Sequence, residues 1–126
     1  MKTVFICKDG DIGSLLSHFV DAVTAKKAGE DAGLIVAQEA LWALATGEFT
    51  PRPALEDHIN QDVIKGAGFP TDAAGLINLA KEAEVPVKAC GGWTAILGLG
   101  EKLPDGIEVA EVGPLLLGAT KIIGGF

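Results

Sequence analysis

Residues Thr71 to Cys90 read TDAAGLINLAKEAEVPVKAC, and this stretch holds one complete helix-to-strand unit. Thr71-Asp72 supplies an N-cap, after which Ala73, Leu76, Ile77, Leu79 and Ala80 recur at helical spacing and define one apolar face. The run Val85-Pro86-Val87-Lys88-Ala89 is then too short and too β-rich for a helix, and it predicts a strand ending at Cys90. Pro86 lacks a backbone N–H and so belongs at the start of that strand.

The same alternation continues in both directions. Toward the N-terminus, Thr3-Val4-Phe5-Ile6-Cys7 predicts a buried strand closed by the turn-forming Lys8-Asp9-Gly10-Asp11. Leu15, Leu16, Phe19, Val20 and Val23 then predict a crossover helix capped by Ser14 or Asp11 and stopped at Gly29. A second strand is expected over Ala32 to Ala37, followed at Gln38-Glu39 by a short helix around Ala40 to Leu44. Toward the C-terminus a short helix (Trp93 to Leu99), a strand (Ile107 to Val112), a helix opened by Pro114 and a last strand (Lys121 to Ile123) complete the pattern. Alternating strands and helices specify an α/β fold built on a parallel sheet. Between Thr46 and Phe69 the pattern dissolves into Gly, Pro and charge, with one short helix around Leu55 to Ile64.

At 126 residues the chain fits a single domain spanning 1–126. Hydrophobic residues make up 48% but aromatics only 6%, so the core must come mainly from Ala, Val, Leu and Ile. A net charge of -7 and a single arginine, Arg52, exclude a phosphate-backbone partner, which needs clustered cations. No run approaches the length of a membrane span and none reads as a signal peptide, so no membrane span and a cytoplasmic location are expected. Two distant cysteines in such a chain read as free thiols.

Ligands of open parallel sheets bind outside the carboxyl ends of the strands. The candidates are therefore Cys7-Lys8-Asp9, Gln38-Glu39, Cys90-Gly91-Gly92 and Gly113. Cys90 stands out because a helix start follows it, whose N–H groups and dipole favour a thiolate. Gly91 and Gly92 are expected to permit a tight turn and leave the sulfur uncovered, and Trp93 to wall a pocket. An inert, packed Cys90 is the competing reading. Neither His18 nor His58 has a partner at metal-ligand spacing, and Asp9-Gly10-Asp11-Ile12-Gly13 matches no phosphate-loop pattern, so neither a metal nor a nucleotide site is expected.

The segment Val85-Pro86-Val87-Lys88-Ala89-Cys90, followed by Gly98 and Ile107-Glu108-Val109, resembles the core of the DsrE/DsrF-like family, and the order of elements extends the resemblance over nearly the whole chain. The resemblance implies a three-layer, flavodoxin-like fold: about five mainly parallel strands with helices on both faces. It also implies a homo-oligomer (trimer or hexamer), other sulfur-relay proteins as partners, and a cysteine after the third strand, here Cys90, that carries persulfide sulfur without an organic cofactor. The alternatives are an oligomeric scaffold with an incidental Cys90, or a thiol-disulfide or peroxide-reducing protein with Cys7 as resolving thiol. That last alternative rests on the expectation that the first and third strands are neighbours. Two further expectations concern surfaces: Thr46 to Phe69 should border the carboxyl edge of the sheet, and Trp42 and Phe49 should contribute to contacts between subunits.

Overall fold

In the computed structural model, which describes residues 1–124, the five apolar runs form one sheet in which every pairing is parallel. The elements are β1 (Thr3–Cys7), α1 (Ile12–Lys27), β2 (Ala32–Val36), α2 (Gln38–Thr46), α3 (Pro53–Glu56), α4 (Gln61–Gly66), α5 (Ala73–Glu82), β3 (Val87–Cys90), α6 (Gly91–Ile96), β4 (Ile107–Ala110), α7 (Val112–Gly118) and β5 (Lys121–Gly124). The strand order is β4-β3-β2-β1-β5.

That order decides where the helices lie. From β1 to β4 the chain steps one strand at a time in one direction, so right-handed crossovers stack α1 and α5 on the same face, where they pack together. The connection from β4 returns across the sheet to pair β5 with β1. Its direction is reversed, so α7 falls on the opposite face and completes a three-layer α/β fold consistent with the flavodoxin-like expectation.

The thicker layer holds the main core. Phe5, Cys7, Leu34, Val36, Val87 and Ala89 pack against Leu15, Phe19 and Ala22 of α1 and Leu76, Ile77 and Ala80 of α5. Burial of a side chain such as Phe19 or Leu15 contributes about 1.5–3 kcal/mol. Helix α1 starts where Asp11 accepts a hydrogen bond from Ser14 N at 2.9 Å, and its last turn carries Lys26 and Lys27, favourably placed for the helix dipole. Asp72 caps α5 in the same way, through Gly75 N at 2.7 Å. Just beyond the end of α5 and its C-cap Ala83, Glu84 has a φ of 59° that turns the chain so that Val85 N reaches Ala80 O at 2.9 Å. β3 begins immediately after Pro86, whose carbonyl still accepts from Leu34 N.

The expected adjacency of the first and third strands is overturned, because β2 lies between β1 and β3. β2 reads Ala-Gly-Leu-Ile-Val and is buried at every position, as the middle strand of five must be when both faces are covered. β3, one place out, already alternates with the half-buried Lys88 and Cys90. The irregular segment folds as two short helices, α3 and α4, neither of which buries a residue.

Candidate functional site

The carboxyl ends of β1, β2 and β3 converge on a cavity of about 210 Å³ lined by Ile6, Lys8, Ile35, Ala37, Gln38 and Cys90, with Trp93 of α6 and Val112 and Leu116 of α7 closing it. Four of the residues singled out in the sequence, Lys8, Gln38, Cys90 and Trp93, therefore meet at one place. The register explains why. Ile6, Ile35 and Lys88 are aligned across three strands on the face away from the main core, and Cys90, two residues beyond Lys88, shares that face.

Cys90 is half-buried at the N-cap position of α6, and its carbonyl accepts a hydrogen bond from the buried Thr94 hydroxyl at 2.8 Å. This bond fixes the turn from strand to helix. Gly91 and Gly92 do not supply the tight turn expected of them, since they begin α6 and neither has a positive φ. A Cβ on Gly92 would meet nothing within 4 Å, and one on Gly91 would touch Ala110 O at 3.4 Å. Lys88 shares the cysteine's face, but its ammonium lies 2.7 Å from Glu108 on β4. That hydrogen bond and charge hold the Glu108 carboxyl below its ordinary value.

Gln38 carries the backbone outlier of the site. Its φ of 54° places a non-glycine residue in the left-handed region, where an L side chain costs about 1–2 kcal/mol. Such strain persists where the surroundings over-determine it, and it clusters at functional sites. Here the surroundings are hydrogen bonds on either side: Ala37 N donates to Cys7 O at 3.1 Å and Ala40 N to Lys8 O at 2.9 Å. These tie the start of α2 to the loop after β1 and hold Gln38 against the cavity.

Cys7 stands apart. It aligns with Val36 and, through it, with Ala89, so it points into the main core while Cys90, one residue beyond Ala89, points to the other face. Burial raises its thiol to about 12. The expected approach of the two sulfurs is therefore corrected: a central strand separates them laterally and the sheet separates them vertically.

Glu39 faces a neighbouring cleft of about 270 Å³, which Gln38 and Trp93 share and Trp42, Thr50 and Leu97 complete. Thr50 donates to Glu39 at 3.1 Å, and Arg52 lies 3.3 Å from Asp11 and 3.8 Å from Asp9. The start of the Thr46 to Phe69 segment thus borders the carboxyl edge of the sheet. Of the two residues expected in subunit contacts, Trp42 is exposed, whereas Phe49 is half-buried and packs against the core. His18 is buried on α1, with Nδ1 2.7 Å from Ser14 O. Among the described residues no group of three His, Cys, Asp or Glu side chains is placed to hold a metal ion, and no helix is long and apolar enough to cross a membrane.

Sequence reasoning missed the apolar half of the cavity, Ile6, Ile35, Val112 and Leu116. Each reads as ordinary core, and only the reversed last crossover brings α7 over this face. The strain at Gln38 left no signal, because glutamine is not a residue that announces a left-handed backbone.

No family model matches the chain, and no curated protein matches it in sequence. Among solved structures, the fold is similar to that of the YchN protein from E. coli, with a TM-score of 0.63 and 22% identity over 98% of both chains.

Proposed function

We propose that this protein is a sulfur carrier that holds persulfide sulfur on Cys90 and relays it to a partner thiol. The observation that carries the reading is the placement of Cys90, a half-exposed thiol at a strand's carboxyl end, in a cavity with Lys8, Gln38 and Trp93. The likeness in fold to YchN and the resemblance to DsrE/DsrF-like proteins agree with it.

The chemistry balances without a cofactor. Cys90 thiolate attacks the outer sulfur of a donor persulfide, a new S–S bond forms as the donor's breaks, and the donor leaves as thiolate. An acceptor thiolate then attacks the outer sulfur on Cys90, takes it as a persulfide and regenerates the Cys90 thiolate. No net oxidation occurs, so no resolving cysteine is required and the buried Cys7 has no part. The Lys8 ammonium is the cation of the cavity, suited to a departing thiolate or to an anionic donor. Gln38 offers an amide for orientation, and Trp93 and Leu116 limit water around the persulfide.

Assembly belongs to the same proposal. Leu117, Ile122 and Val109 are exposed apolar residues on α7 and on the two edge strands, and a trimer or hexamer would cover part of that surface. Light scattering showing a stable monomer at micromolar concentration removes the oligomer. Partner proteins that present thiols, and a cytoplasmic setting, belong to the same proposal. The carrier reading is tested by exposing the protein to a low-molecular-weight persulfide and weighing it intact. One added sulfur that maps to Cys90 supports the reading; a Cys90 that stays unmodified leaves a scaffold.

A further inference from the structure

The chain has two tryptophans, 51 positions apart in sequence, and both line the cleft of about 270 Å³ beside the Cys90 cavity. Glu39 is the charged residue among its lining groups, with Gln38, Thr50 and Leu97 as the remainder. The flanking helices α2 and α6 contain no Lys or Arg, and Arg52, two residues beyond Thr50, is directed to Asp9 and Asp11. Trp42 donates its indole N–H to the Glu48 carboxylate at 3.1 Å, which enriches the ring in electrons. Two indoles, one carboxylate and no lining cation are the elements of a cation-binding site.

We propose that this cleft binds a small organic cation, a quaternary or alkylated ammonium, held by the faces of Trp42 and Trp93 and by the charge of Glu39. The volume lies below the range for drug-sized ligands, which favours a compact cation. The same lining suits Ca2+ or Mg2+ poorly, since it offers one carboxylate, Glu39, with the side-chain oxygens of Gln38 and Thr50, and indoles make up much of the rest. The site goes beyond the sulfur-carrier reading and does not depend on it, although Gln38 and Trp93 border both cavities.

The test is a ligand-observed NMR titration of the reduced, unloaded full chain with choline and with 3,3-dimethylbutanol, its neutral isostere. Saturable binding of choline, weakened about tenfold or more in the isostere, is expected. Trp42→Leu and Glu39→Gln should each lower choline affinity about two- to fivefold; both positions are exposed, so the core is untouched. Equal binding of the isostere, or no saturation by choline, overturns the proposal. Saturation by phosphatidylcholine vesicles but not by choline overturns it in favour of a membrane surface. Because no sulfur is loaded in this experiment, its failure would leave the Cys90 proposal standing, and a failure of sulfur loading would leave this one standing.

Discussion

Maleimide added to the native protein at about pH 8 should modify Cys90 and spare Cys7, and the size of the difference follows from burial. A thiol raised to about 12 is a thiolate in only ~1 of 10⁴ molecules at that pH, against ~1 in 10 for an ordinary value of 9.0. The reactive form of Cys7 is thus about a thousandfold scarcer than it would be for the same thiol without burial, before access is considered. Access adds to this, because Cys7 is 1% exposed and a reagent reaches it only when β1 and α1 separate. Its labelling should therefore track the unfolded population and accelerate in urea, while Cys90 reacts in the folded state. The linkage has a definite sign. Burial penalises the thiolate in the folded state alone, so Cys7 leaves stability unchanged below about 9 and lowers it progressively as pH rises from there toward about 12. Peptide mapping after timed quenching is the assay. Native labelling of Cys7 at a rate comparable to that of Cys90 would refute both the burial argument and the exclusion of Cys7 as a resolving thiol.

Asp11→Ala should cost about 1–2 kcal/mol through loss of the α1 cap, whereas Asp11→Asn, which keeps the cap and loses only the Arg52 pairing, should cost under about 1 kcal/mol; urea midpoints compare them. Glu84→Gly should stabilise by about 0.5–1 kcal/mol, because its φ of 59° suits glycine; a lower melting temperature contradicts this. Lys121, Lys81 and Lys88 hold Glu30, Asp105 and Glu108 below their ordinary values of 4.5, 3.8 and 4.5. Their stabilisation is present above those values and fades as pH falls through the lowered ones, so urea midpoints should drop on acidification, and less so in high salt.

The element pattern was open to sequence reading because each strand is a compact apolar run and α1 and α5 each present one apolar face. Thr3–Cys7 matches its predicted bounds, and Asp72 caps α5 as its position suggests. The strand order is where the sequence reading fails, since it expects the first and third strands as neighbours while right-handed crossovers of similar length fit more than one arrangement. Its trace was nevertheless present: only Ala32–Val36 is apolar throughout, the mark of a central strand, while Lys88 betrays a face less deeply covered. The cavity was half legible. Residues just beyond strand ends, Lys8, Gln38 and Cys90, follow from the general rule for parallel sheets, but the cover from Val112 and Leu116 depends on the return of the chain to β5. Gly91 and Gly92 open a helix with negative φ rather than forming a tight turn of their own, while the open space beside Gly92 accords with the expectation that they leave room there.

The central claim is that Cys90 carries sulfur, and intact-mass analysis of the parent and Cys90→Ser after brief exposure to a persulfide donor tests it most directly. The parent should gain the mass of one sulfur atom, lose it again to an added acceptor thiol, and share its circular dichroism and assembly state with a variant that gains none. A Cys90→Ser protein that acquires sulfane sulfur as fast as the parent, or a parent that acquires none, would contradict the account.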